Sequence, residues 1–373
     1  MRLRTALIGP GRSFRGGIAE HTTSLAGYLN ELGILVEHAS WGRQFPSILR
    51  PGGYGGPPVP NEEQVPSGEA LLETRHLHWN RPDTWVRVAR RLGQDAEHLV
   101  IVVSSPLQMP AVATIARIFR LSPTGRAVTT IIHNVLPHER STLDVPLMRG
   151  ILRSADSAVV HSAEQRELAE SLGATRVKSA ALPFHPPTGL RTGRHPAGER
   201  RMDALAFIGF VRTYKGLDIL IDALSRTKAR PRLLIHGEFW EPIHKYQTLI
   251  ERFGLSDRVT IVPGYATPSE LADVLAHVDA LVLPYRSGTG SQMPRIAFSC
   301  GVPAIATAVG DLPDQIRDGI DGLVVRPDDP ARLAEAIDAL YRDNLWLRFR
   351  RNVTPPAVAD EWTAYLEALL AHH

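Results

Sequence analysis

Residues 281–307 have the sequence LVLPYRSGTGSQMPRIAFSCGVPAIAT, and this stretch decides the fold. The apolar residues 281–283 predict a buried strand, residues 294–300 a helix, and residues 303–307 a second strand. Between the first strand and the helix lies a short polar loop with two glycines, residues 287–292. The order of strand, loop, helix and strand indicates a parallel α/β unit. The loop is either a turn that binds phosphate through backbone N–H groups or a tight turn without a ligand.

The composition is that of an ordinary globular protein. The chain has 373 residues, which predicts two domains or more at about 150 residues per domain. No apolar run approaches the roughly 20 residues that a membrane-spanning helix needs. Cys300 is the single cysteine, which excludes an intramolecular disulfide framework and predicts a reducing, cytoplasmic location. The net charge of +3 is too small to indicate a nucleic-acid partner.

Strands and helices alternate along most of the chain. Residues 2–8 predict a strand that ends at Gly9, and a helix and another strand follow it. The dinucleotide-binding pattern Gly-x-Gly-x-x-Gly is incomplete there, because Phe14 occupies the position of the third glycine, and this disfavours a dehydrogenase. A proline-rich, polar stretch over residues 183–201 separates this half from a second alternating series. The predicted fold class is α/β, with a doubly wound parallel sheet in each half.

Residues 42–84 predict a long loop that is rich in glycine and proline in its middle part. A loop of this length inside a compact domain is usually functional or mobile. Within it, His76 and His78 are spaced as a pair of metal ligands could be, but no third ligand accompanies them. Ordinary loop residues are therefore favoured over a metal site.

Several motifs match one known family. They are 209–224 (GFVRTYKGLDILIDAL), Gly264-Tyr265 with 269–271, 300–307 (CGVPAIAT), 309–325, and, in the first half, Gly16-Gly17 and His133. Together they resemble the retaining, two-domain GT-B glycosyltransferases of family 4.

The resemblance implies two Rossmann-like, doubly wound domains that face a central cleft. The acceptor domain would be residues 1–187, the linker 188–202, and the nucleotide-sugar donor domain 203–355. A C-terminal helix would lie within 356–373, and packing against the first domain is one placement open to it.

The resemblance also implies roles for individual residues. His133, Arg212 and Lys215 would be catalytic, His133 through a hydrogen bond to the donor sugar and the two cations through the diphosphate charge. The residues that would bind the donor and its diphosphate are Gly16, Gly17, Glu238, Tyr265, Ser287, Gly288, Thr289, Gly290, Ser291 and Gln292. The candidates for acceptor binding are His138 and Glu139. No Asp-x-Asp triplet is present, so we expect neither a metal ion nor another cofactor.

One feature departs from the family, whose members usually carry two glutamates eight positions apart before the Cys-Gly motif. Counting back from Gly301 without gaps places Gly288 and Ile296 at those positions. Three interpretations stay open: polar groups of loop 287–292 (the side chains of Ser287, Thr289, Ser291 and Gln292 with the backbone) substitute, the donor differs, or the protein is inactive. We favour substitution.

The implied function is metal-independent, retaining transfer of a hexose-type sugar from a UDP- or GDP-sugar to a hydroxyl of a small molecule, a lipid or a glycan. Two alternatives are a nucleotide-sugar epimerase of the same architecture and a non-catalytic sugar-nucleotide-binding protein. Arg87, Arg90 and Arg91 could contact an anionic membrane surface, but a solvated face is favoured.

Overall fold

The chain forms two compact units, each with its own parallel sheet and hydrophobic core. The first unit is Met1–His185 together with Val358–His373, and the second is Pro186–Ala357. The structure is a computed structural model, which describes residues 3–12, 14, 16–44, 73–137, 141–193 and 201–371. Residues 194–200 of the predicted linker lie outside this part. The predicted α/β class with two doubly wound sheets is confirmed.

One parallel sheet runs through the first unit. Its strands are β1 (Thr5–Ile8), β2 (Leu35–Arg43), β3 (Glu73–His78), β4 (His98–Val103), β5 (Ala127–Ile132), β6 (Ser157–Val160) and β7 (Val177–Ser179). They pair in the order β3-β2-β1-β4-β5-β6-β7. Every position of β4 and β5 is buried. Strands covered on both faces have near-continuous apolar runs, as in residues 99–103 of β4, whereas β5 also buries Thr129 and Thr130.

Amphipathic helices cover this sheet. They are α1 (Gly17–Glu31), α2 (Pro82–Asp95), α3 (Met109–Arg120), α4 (Asp144–Ser154) and α5 (Ala163–Ser171). In α2 the buried residues Trp85, Val88 and Leu92 recur at helical spacing and form one apolar stripe. Pro82 begins this helix, where its missing N–H costs nothing. No helix of the described residues is both long and apolar enough to cross a bilayer.

The structure corrects the prediction for His76 and His78. Both lie in the strand β3, at the edge of the sheet beside β2, and not in a loop. Leu77 is the one fully buried side chain of this strand, and it pairs with Trp41. A strand with a single buried apolar residue shows no clear alternation, so the pattern missed it. Among the described residues, no group of three or more His, Cys, Asp or Glu side chains could hold a metal ion.

The second unit repeats the same design. Its strands are β8 (Ala204–Ile208), β9 (Arg232–Gly237), β10 (Val259–Pro263), β11 (Ala280–Leu283), β12 (Ala304–Thr307) and β13 (Gly322–Val325), in the parallel order β10-β9-β8-β11-β12-β13. Its helices are α6 (Leu217–Arg226), α7 (Ile243–Arg252), α8 (Pro268–Ala276), α9 (Met293–Ser299), α10 (Leu312–Gln315), α11 (Pro330–Tyr341) and α12 (Leu345–Asn352). The elements predicted within 281–307 are confirmed as β11, α9 and β12, with ends that differ by one residue.

The final helix, α13 (Val358–Leu370), belongs to the first unit. Its residues Trp362 and Tyr365 are each 1% exposed and complete an apolar cluster with Leu7 and Leu25. The Trp362 Nε1–H also donates to the carbonyl of Phe184 at 2.9 Å. Both apolar burial and hydrogen bonding therefore hold this helix in the first unit.

Truncation of the Trp362 side chain tests this packing. We expect Trp362→Ala to lower the free energy of unfolding of the first unit by about 3–5 kcal/mol, the usual loss for a buried aromatic side chain. Urea denaturation of the full chain measures the change. Leu121→Ala is the control, because Leu121 is 75% exposed and such surface changes usually stay within about 0.5 kcal/mol. Equal unfolding midpoints for the two variants would contradict the assigned packing.

Candidate functional site

The strand order of the second unit reverses between β8 and β11, which are neighbours at the centre of the sheet. Ligands of open α/β sheets bind beyond the carboxyl ends of the strands at such a point. Arg212 and Lys215 lie in the segment that follows β8, and the predicted loop 287–292 follows β11. The structure therefore places the predicted lysine and the predicted loop at the same end of neighbouring strands.

Lys215 and this loop are connected through Tyr285. The Lys215 Nζ donates to the Tyr285 Oη at 2.8 Å, and that oxygen lies 3.5 Å from the Ser291 Oγ. Burial acts to lower the pKa of Lys215, but the neighbouring hydroxyl groups of Tyr285 and Tyr214 outweigh it, so the pKa lies above its ordinary value. The ammonium is therefore charged at neutral pH. No motif in the sequence indicated Tyr285, whose only signal was its place directly after Pro284, where the strand ends.

A close backbone approach fixes the turn that carries Lys215. Gly216 has φ 67°, and a Cβ on it would lie 2.0 Å from the carbonyl oxygen of Pro284. Only glycine fits there, because the conformation is left-handed and the carbonyl leaves no room. Arg286 adds a second connection: its backbone N–H donates to the carbonyl of Tyr214 at 2.7 Å, and its guanidinium donates to both carboxylate oxygens of Asp218 at 2.8 and 2.7 Å.

Arg212, Glu238 and Tyr265 lie among aromatic side chains at the ends of β8, β9 and β10. The Arg212 Cζ is 4.9 Å from the ring centroid of Trp240, and the Trp240 Nε1–H donates to Glu238 at 3.2 Å. The ring centroid of Phe210 is 5.5 Å from that of Trp240 and 5.8 Å from that of Tyr265. The structure thus brings the three predicted residues to one surface and adds Phe210 and Trp240, which the sequence analysis missed.

Asp311 reaches the loop 287–292 from the segment after β12. The N–H of Ser291, one of the predicted diphosphate-binding residues, donates to the Asp311 Oδ1 at 3.2 Å. Burial raises the pKa of Asp311 to about 6, against the opposing effect of hydrogen bonds from Gln315 and Ser291. At the two positions where the family has glutamates, Gly288 is half-buried and Ile296 belongs to the buried core.

In the first unit, Gly16 and Gly17 lie at the N-terminus of α1. Gly16 has φ 103° and provides no side-chain cap, and a Cβ on Gly17 would meet nothing within 4 Å. A helix of 15 residues with an uncapped, open N-terminus presents backbone N–H groups and a positive dipole end. Such an end suits an anionic group. Glu20 lies in the first turn, where burial raises its pKa against the effect of Arg12.

His133 follows the buried strand β5 and belongs to a cluster of histidines. Its ring centroid is 4.9 Å from that of His21 and 4.7 Å from that of His161, while the rings of His21 and His185 are 5.5 Å apart. Within the described part of the chain, both ring nitrogens of His21 and the Nε2 atoms of His133 and His161 are buried without a hydrogen-bond partner. The sequence analysis found only His133. His138 and Glu139 lie outside the described residues.

Burial keeps His21, His133 and His161 uncharged. It lowers the pKa of His21 and His133 well below the ordinary value, and neighbouring imidazoles lower both further. Burial also lowers the pKa of His161 to about 4. At neutral pH the cluster therefore presents neutral imidazoles, which can donate and accept hydrogen bonds.

The comparisons with known proteins agree with this architecture. The family described as "Glycosyl transferases group 1" matches residues 203–343. The D-inositol 3-phosphate glycosyltransferase 1 of Catenulispora acidiphila is 29% identical over 262 residues, which are 64% of this chain and 62% of that protein. The D-inositol 3-phosphate glycosyltransferase of Frankia alni is 30% identical over 184 residues, which are 46% and 45% of the two chains. The chain thus spans less than two thirds of the length of these relatives.

Solved structures match almost the whole chain. The Anabaena protein Alr3699/HepE, in complex with UDP and glucose, has a TM-score of 0.76 at 14% identity and covers 99% of this chain and 100% of its own. Sucrose-phosphate synthase from Thermosynechococcus elongatus has a TM-score of 0.73 at 18% identity, with the same coverage. These likenesses show the GT-B fold, with its two Rossmann-like domains.

The approach of Gly216 to Pro284 leads to a stability prediction. We expect Gly216→Ala to lower the free energy of unfolding of the second unit by about 1–3 kcal/mol more than Gly254→Ala does, because overpacking is added to backbone strain. Gly254 is a matched control, since its φ is 63° and a Cβ on it would meet nothing within 4 Å. Urea denaturation measures both losses. Equal losses would show that the carbonyl of Pro284 moves aside without cost.

The neutral histidine cluster predicts acid-dependent unfolding. Unfolded imidazoles take up protons near pH 6.5, whereas the buried ones resist protonation, so the first unit should lose stability as the pH falls from about 6.5 toward 4. Each such histidine contributes a slope of at most about 1.4 kcal/mol per pH unit. Urea denaturation between pH 7 and pH 4 measures the slope, and His21→Phe should reduce it. An unchanged slope in His21→Phe would contradict the assignment.

Proposed function

We propose that the protein transfers a sugar from a nucleoside-diphosphate sugar to a hydroxyl acceptor. Residues 203–343 match the family of group 1 glycosyltransferases, and the chain has the GT-B fold. The observation that carries the proposal is the connected set of Lys215, Tyr285 and Ser291 at the point where the strand order reverses. A charged ammonium at this point suits a diphosphate group.

Lys215 and Arg212 have the charge that this reaction needs. As the bond between the sugar carbon and the phosphate oxygen stretches, negative charge grows on the diphosphate, and a preorganised cation stabilises it. Lys215 is held by Tyr285 at 2.8 Å and so needs little rearrangement. In the proposed reaction these two side chains supply the positive charge, and no metal ion is needed.

The aromatic surface of the second unit suits the nucleoside. Bases stack on aromatic rings, and Phe210, Trp240 and Tyr265 present such rings beside Arg212 and the Glu238 carboxylate. We assign the base and ribose to this surface. UDP is the first nucleotide to test, since the similar Anabaena protein was solved in complex with UDP.

The first unit carries groups that suit the same class of ligand. The open N-terminus of α1 at Gly16 and Gly17 suits an anionic group, and the neutral imidazole of His133 suits a hydroxyl. We propose retention of configuration: the acceptor oxygen bonds to the sugar carbon on the face that the diphosphate leaves, and the acceptor proton passes to a leaving phosphate oxygen. The names of the relatives make an inositol phosphate the first acceptor to test.

Lys215→Ala tests the proposal. We expect this variant to lose about 10²- to 10³-fold in the rate of sugar transfer or hydrolysis, equivalent to roughly 2.7–4 kcal/mol, as when one preorganised donor is removed. The measurement uses labelled UDP-glucose and UDP-galactose, with and without inositol phosphate, and calorimetric titration of UDP. Lys228→Ala is the matched control, because Lys228 is exposed and lies beyond α6, before the start of β9.

The same assay separates the competing functions. UDP binding without turnover above that of Lys215→Ala would identify a non-catalytic binding protein, and an epimerised nucleotide sugar would identify an epimerase. Failure of the unmodified protein to bind either UDP or GDP would remove the proposal.

A further inference from the structure

The loop after β11 contains no acidic residue of its own. Between Pro284 and Cys300 the sequence offers hydroxyls, one carboxamide, one guanidinium of Arg286, another of Arg295, and backbone groups. A sugar presents several O–H donors, and an ionised carboxylate is the strongest side-chain acceptor for them. In the structure, Asp311, which follows β12, brings a carboxylate into contact with residue 291 of the loop 287–292.

Hydrogen bonds of both the side chain and the backbone of Asp311 hold it against the loop. Its Oδ1 accepts from the Ser291 N–H at 3.2 Å, and its own N–H donates to the carbonyl of Thr289 at 3.3 Å. Gln315, one helical turn further along, donates from its Nε2 to the carbonyl of Ser291 at 3.0 Å. The two segments therefore form one connected structure, and the carboxylate occupies a defined position in it.

Two glycines leave space for this carboxylate. A Cβ on Gly290 would lie 2.9 Å from the Asp311 Oδ2, and a Cβ on Gly310 would lie 2.5 Å from the carbonyl oxygen of Gly288. Side chains at 290 and 310 would thus separate Asp311 from the loop. Asp311 as a residue is half-buried and is not enclosed in the core.

The position of Asp311 relates it to the proposed diphosphate site. Ser291 contacts both groups. Its backbone N–H donates to Asp311, and its Oγ lies 3.5 Å from the Tyr285 hydroxyl, which accepts a hydrogen bond from Lys215. A sugar is joined directly to the terminal phosphate of its nucleotide. With the diphosphate at Lys215, the sugar ring would therefore lie next to the groups that surround Ser291.

We propose that Asp311 accepts hydrogen bonds from the hydroxyls of the donor sugar and so determines which UDP-hexose the protein binds. This inference rests on the proposed function and adds to it a specificity-determining residue. Since burial raises the pKa of Asp311 to about 6, the ionised form is lost as the pH falls through that value. The part of the donor affinity that comes from the sugar should therefore fall over the same pH range.

Asp311→Asn tests the proposal, because it keeps the shape of the side chain and removes the charge. The measurements are calorimetric affinities for UDP, UDP-glucose and UDP-galactose at pH 7.5. We expect the variant's affinity for UDP to stay within about two-fold of that of the unmodified protein. The ratio of its affinity for the preferred UDP-hexose to its affinity for UDP should fall roughly 10- to 100-fold, the range for hydrogen bonds to a charged group. Asp314→Asn is the matched control, an exposed aspartate in the short helix α10 that begins directly after Asp311, and should change neither affinity.

A second variant displaces the carboxylate without removing it. Gly290→Ala places a methyl group 2.9 Å from the Asp311 Oδ2, and we expect it to reduce the preference for the UDP-hexose as well. Equal unfolding midpoints of the variants and the unmodified protein show that the fold is kept.

The remaining outcomes decide between the inference and its premise. An unmodified protein that binds no nucleotide would overturn both. If UDP binds but the preference for a UDP-hexose is absent, or survives in Asp311→Asn, the inference alone is wrong. An equal loss of UDP and UDP-hexose binding in Asp311→Asn would make Asp311 a residue that only positions the loop.

Discussion

The contact between Gly216 and the carbonyl of Pro284 is the constraint on which the geometry of the second unit depends. Because a glycine without a side chain lies against this carbonyl, the turn after β8 and the turn after β11 are in direct contact. Lys215 can then reach Tyr285, which is 70 positions away in sequence, and Arg286 can bond back to the first turn. Groups from distant parts of the chain are thereby held in one frame before any ligand arrives, which is the condition for electrostatic stabilisation at low reorganisation cost.

The two units use the same architecture for different electrostatic tasks. In both, the candidate residues follow the carboxyl ends of parallel strands. The second unit keeps an ammonium charged by surrounding it with hydroxyl groups. The first unit keeps several imidazoles neutral by burying them against one another. A charged group suits a phosphate, whereas a neutral imidazole suits a hydroxyl. The difference between the units lies in what surrounds each side chain and not in the type of fold.

Patterns that are local in sequence predicted the fold well. Apolar runs identified β4 and β11, and the Lys215-Gly216 pair was found because its motif is contiguous. The strand β3 was missed because only Leu77 in it is fully buried. Tyr285 and Asp311 were missed for another reason. Tyr285 hydrogen-bonds to Lys215 and Asp311 to the Ser291 backbone, and the sequence around each residue gives no sign of these distant partners. The histidine cluster likewise exists only once α1 packs against separate strand ends, so no spacing along the chain could reveal it.

The return of the chain to the first unit at Val358 has a consequence for biosynthesis. The second unit is an insertion, with both of its ends joined to the first, and α13 supplies Trp362 and Tyr365 to a core that also contains Leu7 and Leu25. A ribosome therefore completes the entire second unit before it makes the helix that covers this apolar surface. During that interval the nascent first unit exposes this apolar surface to solvent, which makes it a target for aggregation and for chaperones that bind apolar segments.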